Sequence, residues 1–93
     1  MAIKFHIPAP LLEFTSGKSQ VEITGAPDTL ADALSTLWQA YPGLRDRVVT
    51  EQGEIREHIN IFIGDADIRF TGGLASRISV GSEISIVPNI SGG

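Results

Sequence analysis

Ile84-Ser85-Ile86-Val87-Pro88, close to the end of the chain, is the stretch that decides the fold. Ile84 and Ile86 occupy alternate positions, as in a β-strand that buries one face. Pro88 has no backbone N–H to give to a sheet ladder, so we expect the strand to end there. A fold that buries this strand therefore leaves residues 89–93 to follow it directly as a tail.

The same two-residue alternation of apolar side chains predicts further strands upstream. They are expected at residues 3–7, 20–24 and 59–63, with Ile68-Arg69-Phe70 as a short edge strand. Pro8-Ala9-Pro10 is expected to end the first strand, and a loop to lead into the second.

One main helix is predicted between the second and third strands. Apolar side chains recur there at helical spacing, at Leu30, Ala33, Leu34, Leu37, Trp38 and Tyr41. Thr29 is the predicted N-cap, and Asp32 in the first turn complements the helix dipole. Pro42-Gly43 is predicted to end the helix, and residues 44–57 to form a short helical turn and an exposed loop.

The resulting element order, ββαβββ, predicts an α+β fold. A β-grasp roll satisfies it, with a mixed sheet and the one main helix across a single face. The first two strands would form a hairpin, and the last would return beside the first and parallel to it. We expect residues 1–88 to form a single β-grasp domain and residues 89–93 a flexible C-terminal diglycine tail. The predicted core contains Ile3, Phe5, Leu30, Leu34, Leu37, Ile61, Ile84 and Ile86.

Composition restricts the classes of function. The chain has 93 residues, 42% of them hydrophobic, which fits one globular domain. With no cysteine it has no disulfide, no cysteine nucleophile and no cysteine metal site. A net charge of −4 would repel the phosphate backbone of nucleic acid. No apolar run is long enough for a membrane span or a signal peptide, so we expect a cytoplasmic protein with no membrane partner.

Side-chain chemistry gives no clear active site. His6 and His58 are far apart in sequence and lack a metal-ligand pattern, so no metal site is predicted. Turn formation accounts for Asp65 and Asp67 better than acid–base catalysis does. No Lys-Ser/Thr follows Gly72-Gly73, so this pair is not a phosphate-binding loop. We therefore expect a protein without an active site of its own.

The terminal pair Gly92-Gly93 is the strongest functional signal. A chain that ends at Gly93 carries a carboxylate that is ionised at cellular pH. Because glycine has no Cβ, such a tail can enter a channel too narrow for other residues. An enzyme could in this way bring the carboxylate to a nucleotide. The alternative is that the two glycines are an incidental chain end.

The C-terminal third of the chain also resembles a known family. The matching stretches are residues 59–70, Gly72-Gly73-Leu74, Gly81-Ser82, residues 84–88 and Gly92-Gly93. Together they resemble the MoaD/ThiS sulfur carriers, and most of all the CysO-type branch, in which a similar RF-x-GGLA segment precedes the last strand. The chain departs from the pattern at Ser82, where Asp is common, and at residues 89–91, where small or apolar residues are usual.

The resemblance implies a ubiquitin-like sulfur carrier protein. An E1-like adenylyltransferase/sulfurtransferase would use ATP and magnesium to adenylate the carboxylate of Gly93. A sulfur donor would then replace AMP and leave a thiocarboxylate. The sulfur would pass to a sulfur-accepting enzyme in the biosynthesis of cysteine, a cofactor or a secondary metabolite. On this view the chain is a carrier and substrate with no cofactor of its own.

Two other functions remain open from the sequence. The chain could be a protein modifier that is joined to lysines of its targets through Gly93, or a plain interaction module whose tail is incidental. For the carrier, we expect Phe62, Arg69 and Phe70 to contact the activating enzyme. The alternative is that the two phenylalanines complete a secondary core.

Overall fold

A computed structural model describes residues 2–25, 27–79 and 81–88. The strands are β1 (Ala2–His6), β2 (Gln20–Thr24), β3 (Ile59–Ile63), β4 (Ala66–Asp67) and β5 (Glu83–Pro88). The helices are α1 (Leu30–Ala40) and α2 (Pro42–Val48). Short 3₁₀ helices span Ala9–Thr15, Ile68–Phe70 and Gly73–Ala75. The described helices are all too short or too polar to cross a membrane.

The five strands form one mixed sheet in the order β2-β1-β5-β3-β4. β1 and β2 form an antiparallel hairpin, and β5 lies beside β1 and parallel to it. On its other side β5 is antiparallel to β3, which in turn pairs with the two-residue β4. This topology confirms the predicted β-grasp fold and places β5 at the centre of the sheet.

Pro88 fits the end of this central strand without loss of a ladder bond. The Gly64 N–H donates to the Glu83 carbonyl at 2.8 Å, so hydrogen-bonded pairs alternate from there along β3 and β5. In that alternation Pro88 and Ile59 form a non-hydrogen-bonded pair. The ladder with β1 has already ended at Ser85, so no described strand requires the N–H that proline lacks.

Helix α1 begins and packs as its sequence predicts. The hydroxyl of Thr29 accepts a hydrogen bond from the Asp32 N–H at 3.3 Å, which caps the first turn. The helix buries one face in the core, through Leu30, Ala33, Leu34 and Leu37. All eight predicted core residues are buried, and each is at most 2% exposed.

Helix α1 ends at Ala40, just before Pro42-Gly43, as predicted, and the expected short helical turn is α2. It begins two residues earlier than expected, at Pro42, because proline at the first helical position gives up an N–H that has no partner there anyway. One prediction about local structure was wrong. Ile68-Arg69-Phe70 is a 3₁₀ turn and not an edge strand. The carboxylate of Asp67 accepts the Arg69 N–H at 2.9 Å and so caps that turn. The expected loop after Pro8 also contains the 3₁₀ helix Ala9–Thr15.

The predicted tail, residues 89–93, lies outside the described residues. The domain limits therefore stay a prediction. The structure describes the strand that precedes these residues, β5.

Candidate functional site

The predicted tail follows the central strand of the sheet, which is paired on both sides. Ile84 and Ile86 point into the core and are 0% and 2% exposed. Pro88, the last described residue, pairs with Ile59 of β3. Gly92 and Gly93 lie outside the described residues, and the structure shows only where residues 89–93 begin, at the end of β5 in the centre of the sheet.

The loop that carries the RF-x-GGLA segment is held by its own hydrogen bonds. Gly72 has φ of 113° and Gly73 has φ of 62°, both in the region that favours glycine. The buried hydroxyl of Ser76 donates to the Gly73 carbonyl at 2.6 Å and lies 2.8 Å from the hydroxyl of Thr71. The Leu30 N–H donates to the Ser76 carbonyl at 2.9 Å, which ties the loop to the start of α1. The two glycines are accounted for by this turn.

The three predicted docking residues lie near the β4 edge of the sheet. Phe62 is half-buried on the outward side of β3, where its cross-strand partner in β4 is Asp67. Phe70 is 86% exposed, which excludes the alternative that it belongs to a secondary core. Arg69 is exposed and holds Asp67 through two guanidinium nitrogens, Nε at 3.3 Å and Nη2 at 2.9 Å. Contact with an activating enzyme stays a prediction for all three.

The Arg69–Asp67 pair fixes the charges at this edge. Hydrogen bonds from the side chain and the backbone N–H of Arg69 lower the pKa of the Asp67 carboxyl. The same carboxylate raises the pKa of the Arg69 guanidinium, chiefly through the side-chain hydrogen bond. Asp67 therefore has a structural role, as the sequence predicted from its place at a turn.

His6 lies on the outward face of the sheet, which agrees with its prediction as a surface strand residue. Its Nε2 is 2.6 Å from a carboxylate oxygen of Glu83 on β5. This hydrogen bond is the main reason that the pKa of Glu83 is lowered. Across residues 2–25, 27–79 and 81–88, no group of three or more His, Asp or Glu side chains is placed to hold a metal ion.

Sequence reasoning missed a basic cluster beside the end of β5. Arg47 and His58 line the same surface depression as Pro88, although Arg47 is 41 residues away from Pro88 in sequence. A signal was present, because three of the seven lysines and arginines fall between residues 45 and 56. Only the fold shows that this segment lies against the root of the tail.

Comparison with known proteins agrees with the fold. The sequence model of the ThiS family matches residues 5–93. The sulfur carrier protein CysO of Mycobacterium tuberculosis is 35% identical over 95 aligned residues, which cover 100% of both chains. Small archaeal modifier protein 1 of Haloferax volcanii is 33% identical and covers 98% of this chain and 100% of its own.

A solved structure gives the same result in three dimensions. One chain in the crystal structure of the Amycolatopsis orientalis BexX/CysO complex superimposes with a TM-score of 0.88 and 32% identity. The match covers 99% of this chain and 100% of that chain. With a family model that matches almost the whole sequence and a relative that aligns from end to end, the chain belongs to the ThiS family of ubiquitin-like β-grasp proteins.

Proposed function

We propose that this protein is a sulfur carrier whose Gly93 carboxylate is adenylated and then converted to a thiocarboxylate. One observation carries the proposal: the central strand β5 ends at Pro88 and leads into residues that finish in Gly92-Gly93, in a chain that aligns end to end with a CysO sulfur carrier. A rigid base and a terminal carboxylate without neighbouring side chains suit delivery into another protein's active site.

The chemistry requires activation because a carboxylate is a poor electrophile. An E1-like enzyme would supply ATP, with magnesium on its phosphates. A carboxylate oxygen would attack the α-phosphorus, and pyrophosphate would leave. A sulfur nucleophile would then attack the acyl carbon and displace AMP, leaving sulfur on Gly93. The chain has no cysteine, so this terminal carbonyl is the place for the sulfur.

In this scheme the protein is a substrate and carrier in the cytoplasm and not an enzyme. A second enzyme would accept the sulfur, in the biosynthesis of cysteine, a cofactor or a secondary metabolite. The likeness to the CysO sulfur carrier fits cysteine among these pathways. ATP and magnesium belong to the activating enzyme, and the carrier needs no cofactor.

A second candidate function is protein modification. The likeness to small archaeal modifier protein 1 favours it, at 33% identity over nearly the whole chain. The adenylate would be the same, but a lysine amine of a target would attack it and form an isopeptide bond. Mass spectrometry of the protein from its own cells separates the two functions. Replacement of one oxygen by sulfur would support the carrier, and adducts on target lysines would support the modifier. If neither product were found, a plain interaction module would remain.

The role of Gly93 can be tested with two variants of the tail. One added residue moves the carboxylate by up to about 3.3–3.6 Å, and Gly92→Val places a branched side chain in the channel. A misplacement of about 1 Å can cost a hundredfold in rate, so neither variant should support ATP–pyrophosphate exchange with the activating enzyme. Thermal melting should show both folded like the parent. Exchange at the parental rate by the extended variant, with its added residue still present, would refute the proposal.

A further inference from the structure

A basic groove runs along the molecule to the point where the tail begins. It consists of two adjoining depressions, with volumes of about 570 and 300 Å³, that share Phe14, Arg47 and His58. The first extends to Arg56, and the second reaches Pro88 at the end of β5. We call this surface the tail-root groove, because it meets the last described residue before the tail.

Arg47 is held in place without a carboxylate. Its guanidinium carbon lies 5.0 Å from the centroid of the Phe14 ring, a cation–π arrangement that orients the side chain over the groove. Within the described part of the chain no carboxylate forms an ion pair with Arg47. Its N–H donors are therefore positioned and still open to a partner.

Arg56 is fixed in a similar way. Its Nε donates to the backbone carbonyl of Asp46 at 2.8 Å, which engages one of the five N–H donors of the guanidinium. Among the residues described here, it too forms no ion pair with a carboxylate. The hydrogen bond to a neutral carbonyl orients the charge but does not cancel it.

Two carboxylates border the groove and do not neutralise it. Asp46 is paired with Arg45, with 3.4 Å between their nearest oxygen and nitrogen. Glu13 and Arg47 line the same depression, the one that reaches Pro88. Arg47 and Arg56 are thus two oriented cations on a chain whose net charge is −4. With the Arg45–Asp46 pair counted as neutral and Glu13 offsetting one arginine, the groove keeps an excess of one positive charge, opposite in sign to the charge of the whole molecule.

From this geometry we propose that the tail-root groove docks an acidic segment of the enzyme that activates the tail. Charge complementarity selects an acidic partner, since guanidinium groups form strong hydrogen bonds with carboxylates. The rest of this acidic protein would repel an acidic segment, so the segment is directed to the groove. The continuity of the groove with Pro88 selects the protein that receives the tail. The inference rests on the proposed function, because it assumes that such an enzyme exists.

Docking here would act mainly on encounter and orientation. Opposite charges that lie close to the reacting group speed association and fix register, and salt weakens them. Engagement of the groove would hold Pro88, after which residues 89–93 begin, next to the enzyme. The acidic segment should therefore lower the carrier concentration needed for activation and leave the maximal rate unchanged.

The test is pyrophosphate exchange with the E1-like enzyme of the same organism, measured against carrier concentration at low and high salt. The variant Arg47→Glu/Arg56→Glu reverses both groove charges. The matched control, Arg77→Glu/Lys18→Glu, reverses two cations that do not line the groove and has the same net charge as the groove variant. Arg69 is left unchanged in the control because it is a predicted docking residue. At low salt the groove variant should need at least about tenfold more carrier for half-maximal exchange, and at about 0.5 M salt the difference should shrink.

The neutral variant Arg47→Gln/Arg56→Gln guards against a folding defect, and the folding of every variant is checked by thermal melting. The neutral variant should need an intermediate carrier concentration for half-maximal exchange, and its difference from the parent should also shrink with salt. Equal carrier requirements for the groove variants and the control, with the parent active, would overturn the groove proposal and leave the carrier function standing. If the parent itself supports no exchange with the enzyme, the proposed function fails, and this inference fails with it.

Discussion

Truncating Leu34 to alanine should remove a large share of the stability of this domain. Leu34 lies on the inward face of α1 and is 2% exposed, so nearly all of its side chain is buried on folding. The substitution deletes three carbon atoms, at about 0.8 kcal/mol each, or about 2.4 kcal/mol in transfer free energy. A partly collapsed cavity adds to this, within the range of about 2–5 kcal/mol seen for buried leucines.

The expected loss should appear in urea unfolding and in thermal melting. For a domain of this size, about 1 kcal/mol corresponds to roughly 4–8 °C, so the transfer free energy alone should lower the melting temperature by about 10–19 °C. Gln39→Ala, at an exposed position of the same helix, is the matched control and should change stability by no more than about 0.5 kcal/mol. If Leu34→Ala were as stable as this control, the burial of Leu34 between α1 and the sheet would be contradicted.

Three further predictions concern the turn, the sheet face and the docking edge. Gly72→Ala should cost about 1–3 kcal/mol in urea unfolding, because φ of 113° strains any residue with a Cβ; an unchanged midpoint would contradict the turn geometry. Because the bond to His6 lowers the folded-state pKa of Glu83, its ionised form stabilises the fold above the ordinary value of 4.5, and this contribution is lost as the pH falls through the lowered pKa. Glu83→Gln should therefore be less stable than the parent at pH 7 and equal to it in strong acid, and a gap independent of pH would exclude the linkage. Arg69→Ala should reduce activation about five- to tenfold at limiting carrier if this residue contacts the activating enzyme. In this variant the backbone N–H of residue 69 can still donate to Asp67, so the turn should stay folded. Unchanged activation by the folded variant would show that Arg69 is not part of the interface.

The regular parts of the fold could be predicted because local pattern and tertiary packing agree. In β5 and β3 the isoleucines alternate, with Ile84, Ile86, Ile59 and Ile61 buried and Ile63 partly buried, and the stripe of α1 faces the core. The order of these elements then selects a β-grasp topology, since a central β5 lets the strands bury one common face against the helix.

The irregular parts were harder because several structures satisfy the same residues. Pro42 ends one helix and begins the next, and sequence alone gives no reason to prefer one role. Ile68-Arg69-Phe70 alternates like a strand, but the hydrogen bond from the Arg69 N–H to Asp67 bends the chain into a turn. The cluster of Arg47, Arg56 and Pro88 depends on contacts between distant segments, which no local pattern encodes.

The central place of β5 also sets the order in which the chain can fold. The hairpin of β1 and β2 and the hairpin of β3 and β4 share no strand pairing until β5 inserts between them. Because β1 and β5 are about 80 residues apart, this last step carries a high contact order and a large loop-closure cost. During synthesis, the sheet stays in two unjoined halves until the segment up to Pro88 has emerged. The joined sheet can therefore form only after nearly all of the described residues have been synthesised.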